Sequence, residues 1–214
     1  MSKRFALALI GLFVCVSPSQ AQVIMYDESV SGDLSDSQLA PAARVMVSGI
    51  NRVLGTVGGG NSQDWLRVTI PAGFQMSVLT HVTYVSTDNQ GFMGFDDAAT
   101  FVGNAGLPGS YQGYAHFGNV ATNGTLPAGS TVGANMLNIM ANPAAYNSGQ
   151  APQGVTLPLG PGDYTFLFQQ LGAASQYEFA FQATAVPEPT SFVLLGGATS
   201  GLWAMRRRNK KLAA

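Results

Sequence analysis

The chain has almost no cysteine. Of its 214 residues only Cys15 is a cysteine, so an intramolecular disulfide is excluded. A zinc site built from cysteines is excluded as well, because it needs several thiolates. Stability must therefore come from a hydrophobic core, and a chain of this length is long enough to form one.

Basic residues are scarce in the middle of the chain. Between residues 22 and 189, three arginines (Arg44, Arg52 and Arg67) stand against eleven acidic residues, which leaves a net charge of −8. A segment with this net negative charge repels the phosphate backbone, so we do not expect nucleic acid as a partner. The negative charge favours solubility and leaves carboxylates for hard cations such as calcium.

The first 21 residues have the composition of a secretory signal. Lys3 and Arg4 precede an apolar run of 12 residues, which is too short to span a bilayer. Small residues then occupy the positions that signal peptidase requires, ending with Ala21. We therefore predict a signal helix over residues 1–21, cleaved between Ala21 and Gln22.

The C-terminal segment, residues 186–211, has three parts in a fixed order. It opens with the motif Val186, Pro187, Glu188 and Pro189. A mostly apolar run over residues 191–205 follows; as a helix it would be about 22 Å long, short of the roughly 30 Å of a bilayer core. A basic cluster comes next: Arg206, Arg207, Arg208, Lys210 and Lys211. Arginines can snorkel to extend such a helix, so we predict a short transmembrane helix with its basic end in the cytoplasm.

This order of motif, apolar run and basic cluster resembles the PEP-CTERM sorting signal of bacteria that make exopolysaccharide. The resemblance implies recognition by an exosortase, a membrane protease-transpeptidase, at or just after the Pro-Glu-Pro motif. The protein would pass through an inner-membrane intermediate and reach the cell surface or the extracellular matrix. The alternative is a plain C-terminal anchor helix.

The middle, residues 22–185, has the alternation of β-strands. Leu66, Val68 and Ile70 share one face of a strand candidate, and turn residues recur between such runs. We predict a C-terminal hairpin of residues 163–170 and 175–184, one helix over residues 134–141, and long loops in the glycine-rich region 103–133.

Short strands without alternating helices predict an all-β fold, a single antiparallel β-sandwich or jelly roll. The pattern also resembles a sandwich type found beside PEP-CTERM tails, and distantly the pre-peptidase C-terminal domains of secreted proteases. The segments that carry this resemblance are residues 32–35, 64–65, 70–73 and 162–170.

The sequence contains no recognised catalytic motif. His81 and His116 are not paired with a serine and an aspartate in any known pattern, and alternation in a strand would point Asp96 and Asp97 to opposite faces. We expect structural roles for both histidines, no cofactor and no enzymatic activity.

An acidic stretch near the mature N-terminus is a candidate calcium site. Asp27, Glu28 and Asp33 supply the oxygen ligands that calcium prefers, although their spacing is not that of an EF-hand. The resembled sandwich type sometimes binds calcium. The alternative is that these charges only make the surface soluble.

Three functions remain open at this stage. The first is a non-catalytic module with a structural or adhesive role in an exopolysaccharide setting, and extracellular polysaccharide as a partner. The second is a carbohydrate-binding module that presents Trp65, Tyr111 and Tyr114 to a sugar. The third is a hydrolase with an unrecognised site.

Overall fold

The computed structural model describes residues 21–119, 129–142 and 151–186. Ten strands and two short α-helices form this part of the chain. The strands are β1 (Gln22–Asp27), β2 (Ala42–Val45), β3 (Gly49–Val57), β4 (Gln63–Ile70), β5 (Phe74–Val85), β6 (Gln90–Asp96), β7 (Gly113–Gly118), β8 (Gly129–Ser130), β9 (Gly162–Gln169) and β10 (Ser175–Ala185). The helices are α1 (Glu28–Ser31) and α2 (Met136–Met140).

The strands form two sheets that share one core. The first sheet has the order β1-β3-β10-β5, and the second has the order β2-β4-β9-β6-β7-β8. Side chains from both sheets meet in one buried cluster, which includes Val53 and Phe179 from the first sheet and Leu66 and Phe166 from the second. The predicted all-β, sandwich-like fold is confirmed at this level.

The expectation of purely antiparallel sheets is wrong. Three pairs are parallel: β1 with β3, β2 with β4, and β7 with β8. The first two arise because the chain crosses to the opposite sheet after each of its first three strands. Strands separated by two such crossings run in the same direction and become neighbours. Both sheets are therefore mixed, which departs from an antiparallel jelly roll.

The predicted C-terminal hairpin is also wrong, although its two aromatic faces are correct. Strand β9 pairs with β4 and β6, whereas β10 pairs with β3 and β5 in the other sheet. The connection between them is an arch from one sheet to the other. The aromatic stripes consequently face each other across the core: ring centroids lie 4.9 Å apart for Phe168 and Tyr177, and 5.2 Å apart for Phe166 and Phe181.

A second, smaller cluster lies on the outer face of the six-stranded sheet. It consists of Trp65, Phe101, Tyr111, Tyr114 and Leu167. The loop between β6 and β7 carries Phe101 and Tyr111 over the sheet. Its path depends on Gly94, because a Cβ there would lie 2.6 Å from the Tyr111 ring. The expected loop region 103–133 contains strands β7 and β8, and its Gly113 makes room for the Phe95 ring, which lies 2.9 Å from the position of an added Cβ.

The predicted helix over residues 134–141 is present as α2. Asn135 caps it, because its side-chain oxygen accepts a hydrogen bond from the amide of Leu137 (3.1 Å). Met136, Leu137 and Met140 bury one side of the helix. Among the described residues, no helix has the length and apolar character needed to cross a membrane. The predicted signal helix, apart from Ala21, and the predicted transmembrane helix lie outside the described residues.

Candidate functional site

Three carboxylates from separate parts of the chain meet at one end of the sandwich. Glu28 is the first residue of α1, Asp33 follows that helix, and Asp64 lies on β4. One oxygen of each carboxylate lies within 4.8 Å of an oxygen of the other two. We call these three residues the acidic cluster. Asp33 is exposed, Glu28 is half-buried and Asp64 is fully buried, so the cluster extends from solvent into the core.

Asp64 faces the core because it shares the phase of Leu66, Val68 and Ile70 on β4. Two side chains satisfy its carboxylate. The Tyr177 hydroxyl donates to Oδ2 (2.9 Å), and the Asn61 amide nitrogen donates to Oδ1 (2.8 Å). This is a charged group on the apolar face of a strand, which sequence reasoning missed as a site residue.

Backbone amides hold Glu28 in place. The amide of Thr56 donates to Oε2 (2.6 Å), and that of Leu34 donates to Oε1 (3.3 Å). Gly55 leaves the necessary space, because a Cβ at this position would lie 2.9 Å from Glu28 Cδ and would also collide with the Tyr177 hydroxyl. The sequence thus keeps a glycine where two functional side chains pass close to the backbone of β3.

Asn61, which is not a member of the acidic cluster, links two of its members, Asp33 and Asp64. Its amide nitrogen donates to Asp33 Oδ1 (2.9 Å) as well as to Asp64. Its own oxygen, Oδ1, is buried and has no hydrogen-bond partner in the described part of the chain. The amide therefore presents its donors, and not its oxygen, to the carboxylates.

Burial dominates the electrostatics of the cluster. It raises the pKa of Asp64 from 3.8 to about 7, and the neighbouring charge of Glu28 adds to the increase. Burial also raises the pKa of Glu28, and it raises the pKa of Tyr177 well above 10. The ion pair found among the described residues is between Arg52 and Glu178. Neither residue belongs to the acidic cluster, so this pair does not neutralise the cluster's negative charge.

This arrangement suits either a shared proton or a hard cation. A proton on Asp64 would relieve the repulsion among the carboxylates, and carboxylate oxygens are also the ligands that calcium takes. The predicted calcium set is brought together only in part. Asp27 instead caps α1, where its side chain accepts hydrogen bonds from the Ser29 amide (2.9 Å) and hydroxyl (2.6 Å). Calcium binding by Asp27, Glu28 and Asp33 stays a prediction; the structure places Asp64, and not Asp27, beside Glu28 and Asp33.

The aromatic residues predicted to face a sugar are buried. Trp65 and Tyr111 are each 1% exposed, and Tyr114 is 2% exposed. The Trp65 ring lies 5.1 Å from that of Phe101, which in turn stacks on Tyr111 at 4.9 Å. The expectation that these three face a ligand is therefore wrong, because Tyr111 lies in the loop between β6 and β7 and packs with Phe101 against Trp65 and Tyr114.

The two histidines occupy different environments. His81 is fully buried, and its ring stacks on Phe179 at 5.4 Å and meets Phe117 edge-on at 5.7 Å. Burial lowers the pKa of His81, which keeps the ring neutral. His116 lies on the outer face of the six-stranded sheet, 6.0 Å from the ring of Phe92. The core position of His81 agrees with a structural role.

The first and last described strands begin and end beside the predicted processing sites. The Ala21 carbonyl accepts a hydrogen bond from the Ile50 amide (2.8 Å), and β1 begins at the next residue. At the other end, the Val186 amide donates to the Gly73 carbonyl (2.8 Å). The rest of the sorting motif and the basic cluster lie outside the described residues.

Comparison with known proteins gives no relative from which a function can be transferred. No protein-family model, no curated protein and no solved structure matches the chain.

Proposed function

We propose that this chain is an exported module whose folded body works without catalysis at the cell surface or in the extracellular matrix. Its role is structural or adhesive, in an exopolysaccharide setting. Signal peptidase would remove the N-terminal helix, and an exosortase would process the C-terminal tail while its short transmembrane helix holds the protein in the inner membrane.

The observation that carries this proposal is the match between the fold and the predicted processing sites. Strand β1 begins at Gln22, the residue after the predicted signal-peptidase site, and β10 ends at Ala185, just before the sorting motif. Cleavage at either end would leave every described strand whole. The first cut would remove one described backbone hydrogen bond, from Ile50 to Ala21. A body with these limits suits a cargo carried between two removable signals.

Tail variants expressed in a bacterium that has an exosortase test the proposal. In one variant Pro187, Glu188 and Pro189 become alanine; in a second, the five basic residues of the tail become glutamine. We expect the wild-type body outside the cell, the first variant held in the membrane with its tail attached, and the second misplaced. Arg44→Gln is the matched control for loss of charge in the body and should behave as wild type. Export of both tail variants in the wild-type form would contradict the proposal.

A second test measures hydrolytic activity. The proposal predicts no hydrolysis of glycans, esters or peptides by the purified protein. A clear rate on any of these that is lost with a His116→Ala variant would replace the structural function with a hydrolase.

A further inference from the structure

We propose that a groove on the outer face of the six-stranded sheet binds a neutral sugar unit of a glycan. The groove has a volume of about 250 Å³ and is lined by Gln90, Phe92, His116, Gln169 and Leu171, among others. This proposal rests on the exported, non-catalytic function above and names the ligand class that such a body would contact.

Three of these residues form a row across neighbouring strands. Phe92 on β6 is opposite Gln169 on β9 and opposite His116 on β7. Residues that are opposite each other in paired strands point to the same face of a sheet. The register therefore places an amide, a phenyl ring and an imidazole side by side on the outer face, next to the part of the sheet that the loop between β6 and β7 covers.

The smaller aromatic cluster holds the Phe92 ring in position. The ring is half-buried, and its centroid lies 5.5 Å from that of Tyr111 and 5.7 Å from that of Tyr114. The residues that were expected to stack on a sugar thus support a neighbouring ring at the rim of the groove. A ring that is already fixed loses little conformational entropy when a ligand binds.

Two amide side chains remain available to a ligand. In the described part of the chain, the side-chain amides of Gln90 and Gln169 make no hydrogen bonds. The neighbouring Gln170 is different, because its side chain donates to the Gln90 carbonyl and accepts from the Gly172 amide (3.1 Å). Gln170 therefore shapes the groove, while Gln90 and Gln169 can pair with hydroxyl groups that both donate and accept.

The described side chains that line the groove indicate the ligand class. No aspartate, glutamate, lysine or arginine is among the described residues that line it. Among those residues an ionic ligand would find no carboxylate, ammonium or guanidinium group, whereas a neutral sugar offers hydroxyls to the amides and a face of C–H groups to Phe92. Leu171, which is 79% exposed at the end of the groove, adds apolar contact.

Saturation-transfer NMR with the full chain in mild detergent tests this inference. The probes are neutral oligomers of glucose, mannose, galactose and N-acetylglucosamine, with polygalacturonate as the charged comparison. We expect at least one neutral oligomer to bind. Gln169→Ala should weaken binding about threefold to tenfold, the effect of one lost hydrogen bond, and Phe92→Ala should weaken it roughly tenfold or more.

Matched variants separate binding from folding. Gln176→Ala removes an exposed amide from the other sheet and should bind as wild type. Phe92→Tyr keeps an aromatic face and should retain binding, even where Phe92→Ala loosens the aromatic cluster. The inference is overturned if no neutral oligomer binds, if polygalacturonate is preferred, or if Gln169→Ala and Phe92→Ala both bind as wild type. Because the assay uses purified protein, it gives the same result whether or not the export proposal holds.

Discussion

Replacing Asp64 with asparagine should remove most of the pH dependence that the acidic cluster imposes on stability. Burial and the charge of Glu28 raise the pKa of Asp64 in the folded protein from 3.8 to about 7. A group with a raised pKa favours the folded state fully below its unfolded pKa, and this contribution is lost as pH rises through the folded value. The wild-type protein should therefore lose stability between about pH 4 and about pH 7.

The magnitude follows from the size of the shift. Each pKa unit corresponds to about 1.36 kcal/mol, so a shift of about three units amounts to roughly 4 kcal/mol. Asp64 has no solvent-exposed surface, so solvent screens this effect only weakly. In Asp64→Asn the new amide carries no charge, and its oxygen can still accept the hydrogen bond from the Tyr177 hydroxyl. The variant should thus be more stable than wild type near pH 8 and lose that advantage near pH 4.

Urea unfolding of both proteins at about pH 4 and about pH 8 measures the effect. Comparing the two proteins removes the contribution of His81, whose lowered pKa acts in the opposite direction below its ordinary value. The difference in free energy of unfolding should change by roughly 4 kcal/mol between the two conditions. A change of less than about 1 kcal/mol would refute the argument that burial perturbs Asp64.

The calcium prediction can be read from the same titration. An ion that binds only the folded state stabilises it in proportion to the logarithm of its concentration. If Glu28, Asp33 and Asp64 take calcium, millimolar calcium should stabilise the wild type near pH 8 and leave Asp64→Asn unchanged. Equal responses of the two proteins would assign the calcium effect to some other part of the chain.

Three further predictions concern the fold around the site. Gly55→Ala should cost about 1–3 kcal/mol in urea unfolding, because the new Cβ meets Glu28 and Tyr177, whereas Gly160→Ala has open space and should be nearly neutral; equal effects would contradict the crowding at Gly55. A double-mutant cycle of Phe166→Ala and Phe181→Ala should give a coupling energy of about 0.5–1.5 kcal/mol, as expected for rings that meet across the core; additivity within error would count against the arch between β9 and β10. Tyr177→Phe should cost about 1.5–3 kcal/mol near pH 8, where Asp64 is charged and loses a donor; a cost below about 0.5 kcal/mol would mean that the hydroxyl does not support the carboxylate.

The sequence predicts which face of a strand is buried more reliably than it predicts which strand lies beside it. Alternation along β4, β9 and β10 identifies their core-facing side chains, including Phe166, Phe168 and Phe179, which are all buried. It does not say which strand lies alongside, because the short segment of residues 170–174 can close a hairpin or cross between sheets. That choice depends on pairing between distant strands, such as β10 with β3, which local pattern does not record.

The candidate site is predictable from the sequence only in part. Glu28 and Asp33 stand in a visible acidic stretch, but Asp64 joins them from a strand about thirty residues later in the chain. The sequence does indicate that the Asp64 side chain faces the core, because Asp64 alternates in phase with the buried residues Leu66 and Val68. The burial of Tyr111 is not visible in the sequence, because it depends on Gly94, a residue of a different strand that leaves room for the Tyr111 ring against the sheet.

The most direct test of the account is the intact mass and N-terminal sequence of this protein recovered from outside cells that have an exosortase. We predict a product that begins at Gln22, ends at or just after residues 187–189, and lacks the basic cluster of the tail. The full-length chain recovered from the cytosol, untrimmed at both ends, would contradict it.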